Sequence, residues 1–354
     1  MDCPEDGKAL RCTLCHHRCR IPPGGRGRCG VRLNGAGASG AYAVSSDGDA
    51  VFSGGFSLPY YGYVTAAAVD PIEKKPLYHF RPGSRVLSLG FAGCNLRCPF
   101  CQNWHISQLG DGPAAPGRRM SPAEVLAALP PDPATRQIAY TYSEPLIHIE
   151  YLKDCMELAR EQGAANILVS NGCANLERAG DILPLVDAAN IDLKCFSETT
   201  YRRILGGNLE TVLDFIRAAR RCGVCLELTT LLVPGLNDSD AELDCCAEFI
   251  ASLQPPVPWH LSAYHPAYRW DAPPTDSAAL LRAAERARRV LPWVYAGNIA
   301  REENDTPCPR CGAVLVRRRG YRVDTRLLAR PSGAPAPPRP CRCASCGADT
   351  PVYW

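Results

Sequence analysis

Seven short apolar runs recur through the middle of the chain, at 86–92, 137–142, 166–170, 190–194, 224–233, 259–263 and 293–296. They are short and bounded by turn residues, so each reads as a β-strand. Between them the period changes. At 122–129, 146–162, 209–222, 241–253 and 277–290 apolar residues return at the spacing of one helix face. Ser121-Pro122-Ala123-Glu124 carries a helix-start signature: a capping hydroxyl, a proline at the first helical position and a glutamate able to reach back. Apolar strands alternating with helices call for parallel βαβ units. About six units over this length fit an α/β fold of the partial (βα)6 TIM-barrel type, shorter than the closed eight-unit form.

Outside 81–300 the pattern fades. Residues 1–80 contain short β-like segments such as 41–44 amid Gly, Ala and Ser. Residues 301–354 are rich in Arg, Pro and Cys, and 331–340 reads as a flexible proline-rich insert. Three units are therefore expected, with boundaries near 80 and 300. A hydrophobic content of 46% over 354 residues is ample for a core, and a net charge of +3 calls for neither nucleic acid nor a membrane as partner. No run of about 18 apolar residues is present, and the first ten residues lack a basic region followed by an apolar one. A cytoplasmic protein is expected, and its 20 cysteines read as metal ligands and packing residues rather than disulfides.

In such a barrel the chemistry sits at the C-terminal ends of the strands, so polar residues just after each apolar run are the candidates. After the first run come Cys94, Cys98 and Cys101, at C-x3-C-x2-C spacing. Three thiolates on one loop can hold three irons of a [4Fe–4S] cube. With no fourth cysteine nearby, the last iron stays open to a small molecule, whereas clusters that only carry electrons usually have four cysteines. The later runs are followed by Thr141-Tyr142-Ser143-Glu144-Pro145, Ser170-Asn171-Gly172-Cys173, Tyr264-His265-Pro266 and Gly297-Asn298; the fourth ends in Asp192-Leu193-Lys194 and the fifth carries Thr229-Thr230.

The cysteine loop, with Phe100 just before its third cysteine and a strand before it, resembles the radical S-adenosylmethionine (radical SAM) enzymes. Further stretches narrow the resemblance and extend it over nearly the whole chain. They are Asp70-Pro71-Ile72-Glu73-Lys74-Lys75-Pro76-Leu77-Tyr78-His79-Phe80, Ala139-Tyr140-Thr141-Tyr142-Ser143-Glu144-Pro145, Asn190-Ile191-Asp192-Leu193-Lys194-Cys195-Phe196, Ile204-Leu205-Gly206-Gly207-Asn208-Leu209-Glu210 and Thr230-Leu231-Leu232-Val233-Pro234-Gly235-Leu236-Asn237-Asp238. Together they are similar to the AmmeMemoRadiSam-system radical SAM enzymes, relatives of pyruvate formate-lyase activating enzyme. The resemblance implies a [4Fe–4S] cluster on Cys94, Cys98 and Cys101, with S-adenosylmethionine on the open iron. It implies reductive cleavage to a 5′-deoxyadenosyl radical that abstracts hydrogen from a substrate left unnamed. Glu144 would accept a hydrogen bond from the methionine ammonium, and Asn171 would hold the ribose or methionine. Asp192 and Lys194 would line the cofactor pocket, Phe100 would belong to the cluster loop, and His265 would approach the cofactor. A reductant such as flavodoxin or ferredoxin is implied, with Memo-like and AMMECR-type proteins as partners. The sequence departs from the family at His16, usually proline, at Cys173, more often aromatic, and at Ser262-Ala263-Tyr264, usually Ser-Arg-aromatic. Thr229 stands where the activases have an arginine.

The ends carry further cysteines. Cys308-x2-Cys311-Gly and Cys343-x2-Cys346-Gly have the knuckle form of a zinc ribbon. Cys12, Cys15, Cys19 and Cys29 make a second four-ligand set for zinc or an auxiliary iron–sulfur cluster, since both accept four thiolates. Cys155, Cys195, Cys222, Cys225, Cys245 and Cys246 read mostly as small buried residues. Arg317-Arg318-Arg319 reads as a solvated face. The expected function is a radical SAM enzyme. The alternatives are a true glycyl-radical-enzyme activating enzyme and a non-catalytic metal-binding scaffold that docks protein or RNA.

Overall fold

All seven apolar runs form strands, and all lie parallel in one sheet. The computed structural model describes residues 8–35, 52–53, 55–109, 116–131, 136–300, 304–331 and 338–354. The β-like segment at 41–44 and residues 332–337 of the proline-rich insert lie outside these. Numbering the strands of the main sheet in chain order, β1 is Tyr63–Pro71, β2 Arg85–Phe91, β3 Arg118–Arg119, β4 Gln137–Thr141, β5 Ala165–Ser170, β6 Ala188–Asp192, β7 Cys225–Leu232, β8 Trp259–Ala263 and β9 Val294–Gly297. The order across the sheet is β9-β8-β7-β6-β5-β4-β2-β1-β3. Strands β2 and β4 to β9 pair in parallel, each beside its sequence neighbour, as a partial barrel requires. The edge beyond β2 is antiparallel: β1 pairs with β2, and β3 with β1. Thus β1, within the stretch expected as a separate N-terminal unit, is part of the main sheet. Its alanine-rich sequence gives little strand signal.

Helices pack the outer face. They are α1 Pro122–Ala127, α2 Ile149–Glu161, α3 Leu209–Arg221, α4 Asp240–Ser252 and α5 Ser277–Ala287. The capping box forms as the sequence implies: Ser121 Oγ accepts from the Glu124 amide at 3.3 Å, and Glu124 accepts from the Ser121 amide at 2.7 Å. Asn208, Ser239 and Asp276 cap α3, α4 and α5 through their side-chain oxygens. On α3 Val212, Phe215, Ile216 and Ala219 recur at helical spacing and are buried. Among the cysteines read as packing residues, Cys155, Cys195 and Cys246 are buried, but Cys222, at the C-terminal cap of α3, and Cys245, in the middle of α4, are exposed.

The bottom of the half-barrel is closed by the segment that leaves β1. Ile72, Leu77 and Phe80 are fully buried against Val86, Ala139, Ile167 and Ala188. The polar groups of this plug find a carboxylate: Glu227 of β7 accepts from the Tyr78 amide at 2.8 Å and the His79 amide at 2.8 Å, and lies 2.6 Å from His260 Nε2. The C-terminal module then seals the plug. It contains two small antiparallel sheets: β10 Thr306–Pro307, β11 Val314–Arg319 and β12 Arg322–Asp324 in one, β13 Leu328–Ala329, β14 Pro340–Cys343 and β15 Asp349–Tyr353 in the other. The Tyr353 amide donates to the His79 carbonyl at 2.7 Å, and the Arg81 amide to the Tyr353 carbonyl at 2.9 Å.

Arg318, expected on a solvated face, is buried. It donates to the Asn304 carbonyl at 3.0 Å, to Thr306 Oγ1 at 2.8 Å and to the Tyr78 carbonyl, and stacks over the Tyr78 ring at 4.3 Å. Strand alternation turns it inward while Arg317 and Arg319 face Asp305 and solvent. Arg318→Met should therefore cost about 3 kcal/mol in urea unfolding, because it strands buried acceptors and leaves the nearby Glu73 uncompensated. Unchanged unfolding would show that Arg318 does not hold the module to the plug.

Candidate functional site

The parallel strands end on one edge, and their loops converge on a cavity of about 580 Å³ that runs down the concave face. Cys94, Cys98 and Cys101 all line it, and no other cysteine does among the described residues. Phe100, Asn171, Asp192 and Lys194 line it as well. The structure thus brings the cysteine loop and most of the expected cofactor residues to one place. Glu144 lies just behind the wall, buried, and His265 is exposed outside the lining.

The cysteine loop is shaped by its backbone. Gly93, at φ +86°, opens it where a side chain would be strained. The Leu96 amide donates to Cys94 Sγ at 3.3 Å, and Cys101 Sγ lies 3.3 Å from Ser107 Oγ. Burial pushes the Cys98 thiol up to about 11, with the Lys194 ammonium acting against it. Three thiols on one loop, with a backbone donor to one sulfur and an open cavity in front, fit a [4Fe–4S] cube with one free corner.

Glu144 ties the loops after β4 and β5 together. Its carboxylate accepts from Ser170 Oγ at 2.7 Å, from the Asn171 amide at 2.8 Å and from the Leu146 amide at 3.0 Å. Asn171 in turn donates through Nδ2 to Asn95 Oδ1 at 2.9 Å, beside Cys94. Asn95 donates to the Cys173 carbonyl at 2.8 Å. One chain of hydrogen bonds therefore runs from Glu144 to the first cysteine. Lys194 Nζ and Asp192 Oδ2 are 2.9 Å apart. Burial works to lower the Lys194 ammonium, but Asp192, Cys98 and Cys101 outweigh it and hold it above its usual range. The departures His16 and Cys173 meet: His16 Nδ1 is 3.1 Å from Cys173 Sγ.

Several lining residues had been given no role. Tyr142 sits in the left-handed region at φ 68°, and its hydroxyl donates to Asp70, which also binds Lys75 Nζ at 2.7 Å. Thr229 and His260 point inward from β7 and β8, and the buried Thr229 hydroxyl has no protein partner. The signal was present: polar residues alternate along otherwise apolar strands, as at Glu227 and Thr229, or His260 and Ser262.

The C-terminal quartet is fully assembled. The sulfurs of Cys308, Cys311, Cys343 and Cys346 all lie within 4.8 Å of one another. Cys341 is buried and stands outside this group.

Burial pushes the Glu144 carboxyl up to about 7 from an ordinary 4.5, against the pull of its donors Asn171, Ser170 and Leu146. Its folded value is raised, so its contribution to stability is complete below 4.5 and is lost as pH rises through 7. Wild type should lose stability relative to Glu144→Gln between about pH 5 and about pH 8 in chemical unfolding. Parallel curves would mean that Glu144 titrates normally.

Residues 89–244 match the radical SAM superfamily. The chain is 38% identical over 321 residues to an uncharacterized protein of Methanocaldococcus jannaschii, covering 88% of this chain and 89% of that one. It is 28% identical over 194 residues to the pyruvate formate-lyase-activating enzyme of Clostridium pasteurianum, covering 52% and 76%. A solved domain of pyruvate-formate lyase-activating enzyme from Bacteroides vulgatus aligns with TM-score 0.40 and 22% identity, over 45% of this chain and 98% of that one. The three-cysteine loop at the mouth of a half-barrel, the superfamily match and the two sequence relatives agree: the chain belongs to the radical SAM superfamily.

Proposed function

We propose that this protein is a radical SAM enzyme of the activating-enzyme type, with Cys94, Cys98 and Cys101 as cluster ligands and the cavity before them as the S-adenosylmethionine site. The observation that carries the reading is the set of three cysteines opening on one polar cavity that no fourth cysteine lines among the described residues. When bound there, the cluster supplies the electron that cleaves S-adenosylmethionine reductively and releases the radical that abstracts hydrogen from substrate. The protein's own residues position and shield. Asp192 and Lys194 offer a paired anion and cation to the zwitterionic end of the cofactor. Glu144 and Asn171 fix the loop that carries Cys94, and Asn171 also faces the cavity. Phe100 covers the loop from within, edge-on to Trp270. Thr229 and His260 face the deeper part, where a substrate needs polar contacts.

The segment from Asp70 to Phe80, one carrier of the resemblance to AmmeMemoRadiSam-system enzymes, builds the cavity wall through Lys74, Lys75 and Tyr78 and plugs the barrel through Leu77 and Phe80. This supports membership of that group, and with it Memo-like and AMMECR-type partners and a flavodoxin- or ferredoxin-type reductant. The activating-enzyme relatives support a second reading, in which the hydrogen comes from a glycine of a partner protein.

Anaerobically reconstituted protein, reduced with S-adenosylmethionine present, should release 5′-deoxyadenosine, and Cys98→Ala should abolish the release. Equal yield from the variant would sink the assignment. Lys194→Ala should raise the half-saturating S-adenosylmethionine concentration about tenfold, the loss of one charge-assisted contact. The C-terminal quartet has zinc spacing, so aerobically purified protein should hold about one zinc that Cys311→Ser/Cys346→Ser loses. Zinc retained by that variant would place the ion elsewhere.

A further inference from the structure

We propose that Cys12, Cys15, Cys19 and Cys29 hold a second iron–sulfur cluster, not zinc, placed to carry electrons to the site at Cys94, Cys98 and Cys101. The ligand-set argument stands on geometry alone; the electron-carrying role rests on the radical SAM reading.

The chain contains its own comparison. One zinc ion draws four sulfurs into a tetrahedron with Zn–S of about 2.3 Å, so the sulfurs lie about 3.8 Å apart. The C-terminal quartet shows this spacing: Cys308 Sγ to Cys346 Sγ is 3.8 Å and Cys311 Sγ to Cys343 Sγ is 3.7 Å. Among the described residues it is the group of three or more possible ligand atoms drawn within 4.8 Å of one another. The four N-terminal sulfurs do not form such a group, and neither do those of Cys94, Cys98 and Cys101. The N-terminal set is nevertheless folded into one place. The Cys12 amide donates to the Cys19 carbonyl at 2.9 Å, and the Arg28 amide, next to Cys29, donates to Cys19 Sγ at 3.5 Å. Sulfurs gathered by the backbone yet too spread for one ion suit a multi-iron cluster. The amide donor to Cys19 repeats the Leu96 donor to Cys94, and such hydrogen bonds tune iron–sulfur clusters.

The placement points the same way. A side chain at Gly93, the residue before Cys94, would put its Cβ 2.5 Å from the Cys29 carbonyl oxygen. A ligand residue of one set is thus packed backbone to backbone on the neighbour of a ligand of the other. A second route runs from Cys15 to its neighbour His16, whose Nδ1 is 3.1 Å from Cys173 Sγ, and on through the Cys173 carbonyl to Asn95, next to Cys94. His17 Nε2 lies 2.9 Å from the Asn95 carbonyl, and Arg97 donates to the Arg28 carbonyl at 2.8 Å. The redox step balances simply. A one-electron donor of the flavodoxin or ferredoxin class is oxidised as the N-terminal cluster gains its electron. That electron then passes inward, leaving the cluster reoxidised, with no bond made or broken at either cysteine set.

The test uses the full chain, reconstituted anaerobically with ferrous iron and sulfide while equimolar zinc competes. Cys94→Ser/Cys98→Ser/Cys101→Ser should keep about two to four irons with matching sulfide, and show on reduction an electron paramagnetic resonance signal that S-adenosylmethionine does not alter. Adding Cys12→Ser and Cys15→Ser should remove that iron and signal; Cys19→Ser replaces them if circular dichroism shows misfolding. A triple variant that takes zinc and no iron overturns the proposal, even if wild type still makes 5′-deoxyadenosine. Iron retained without 5′-deoxyadenosine formation by wild type would uphold the ligand set and defeat the radical SAM reading instead. For the carrier role, Cys12→Ser/Cys15→Ser should lose most 5′-deoxyadenosine formation with reduced flavodoxin but keep it with dithionite. Equal retention with both overturns the carrier role.

Discussion

A half-barrel must be closed at one end without being closed at the other, and here the Glu227 carboxylate meets that constraint. It is fully buried within the sheet and accepts the Tyr78 and His79 amides, the groups that the plug would otherwise leave unpaired. Burial works to raise its carboxyl, but His260 and His79, together with the amide donors, hold it below the ordinary range. A carboxylate at that depth is tolerated only with such a set of partners. With the plug fixed, Arg318 and Tyr353 can dock the C-terminal module beneath it.

The same economy governs the upper end. Loops after parallel strands would splay unless tied, and the ties are short polar side chains. Glu144 joins two loops, Asn171 and Asn95 join these to the cysteine loop, and Asn103 donates to the Tyr142 carbonyl at 2.8 Å. Glu144, Asn171 and Asn95 are buried, where such hydrogen bonds specify one geometry. The result is a loop of three cysteines tied to its neighbouring loops by side-chain hydrogen bonds. The ion pair of Asp192 and Lys194 stands at the end of β6, three strands along the sheet from β2.

Three cysteine sets in one chain show how differently the same residue can be used. The C-terminal knuckles are drawn tight because each C-x2-C-Gly turn folds back on itself and small sheets clamp the pair together. The cysteine loop at the barrel mouth stays wide. The N-terminal set is wide as well, and it leans on the cysteine loop through Gly93, a contact only glycine permits.

The parallel sheet, the order of its helices and the three-cysteine loop were legible in the amino-acid sequence, because period and spacing are local properties. Residue pattern alone also marked the capping box and the C-terminal cysteine knuckles. Other features exist only in three dimensions. Strand β1 is alanine-rich and takes its place from the neighbour it pairs with. Arg318 sits in a run of three arginines that reads as surface, and only the packing of β11 on Tyr78 buries it. His265 follows a strand as a site residue would, yet its loop turns it to solvent. Thr229 and His260 reach the cavity because alternate residues of a curved sheet converge on its concave side. Spacing names the ligands a chain offers; the distances between them, and what they face, are set by contacts among residues far apart in sequence.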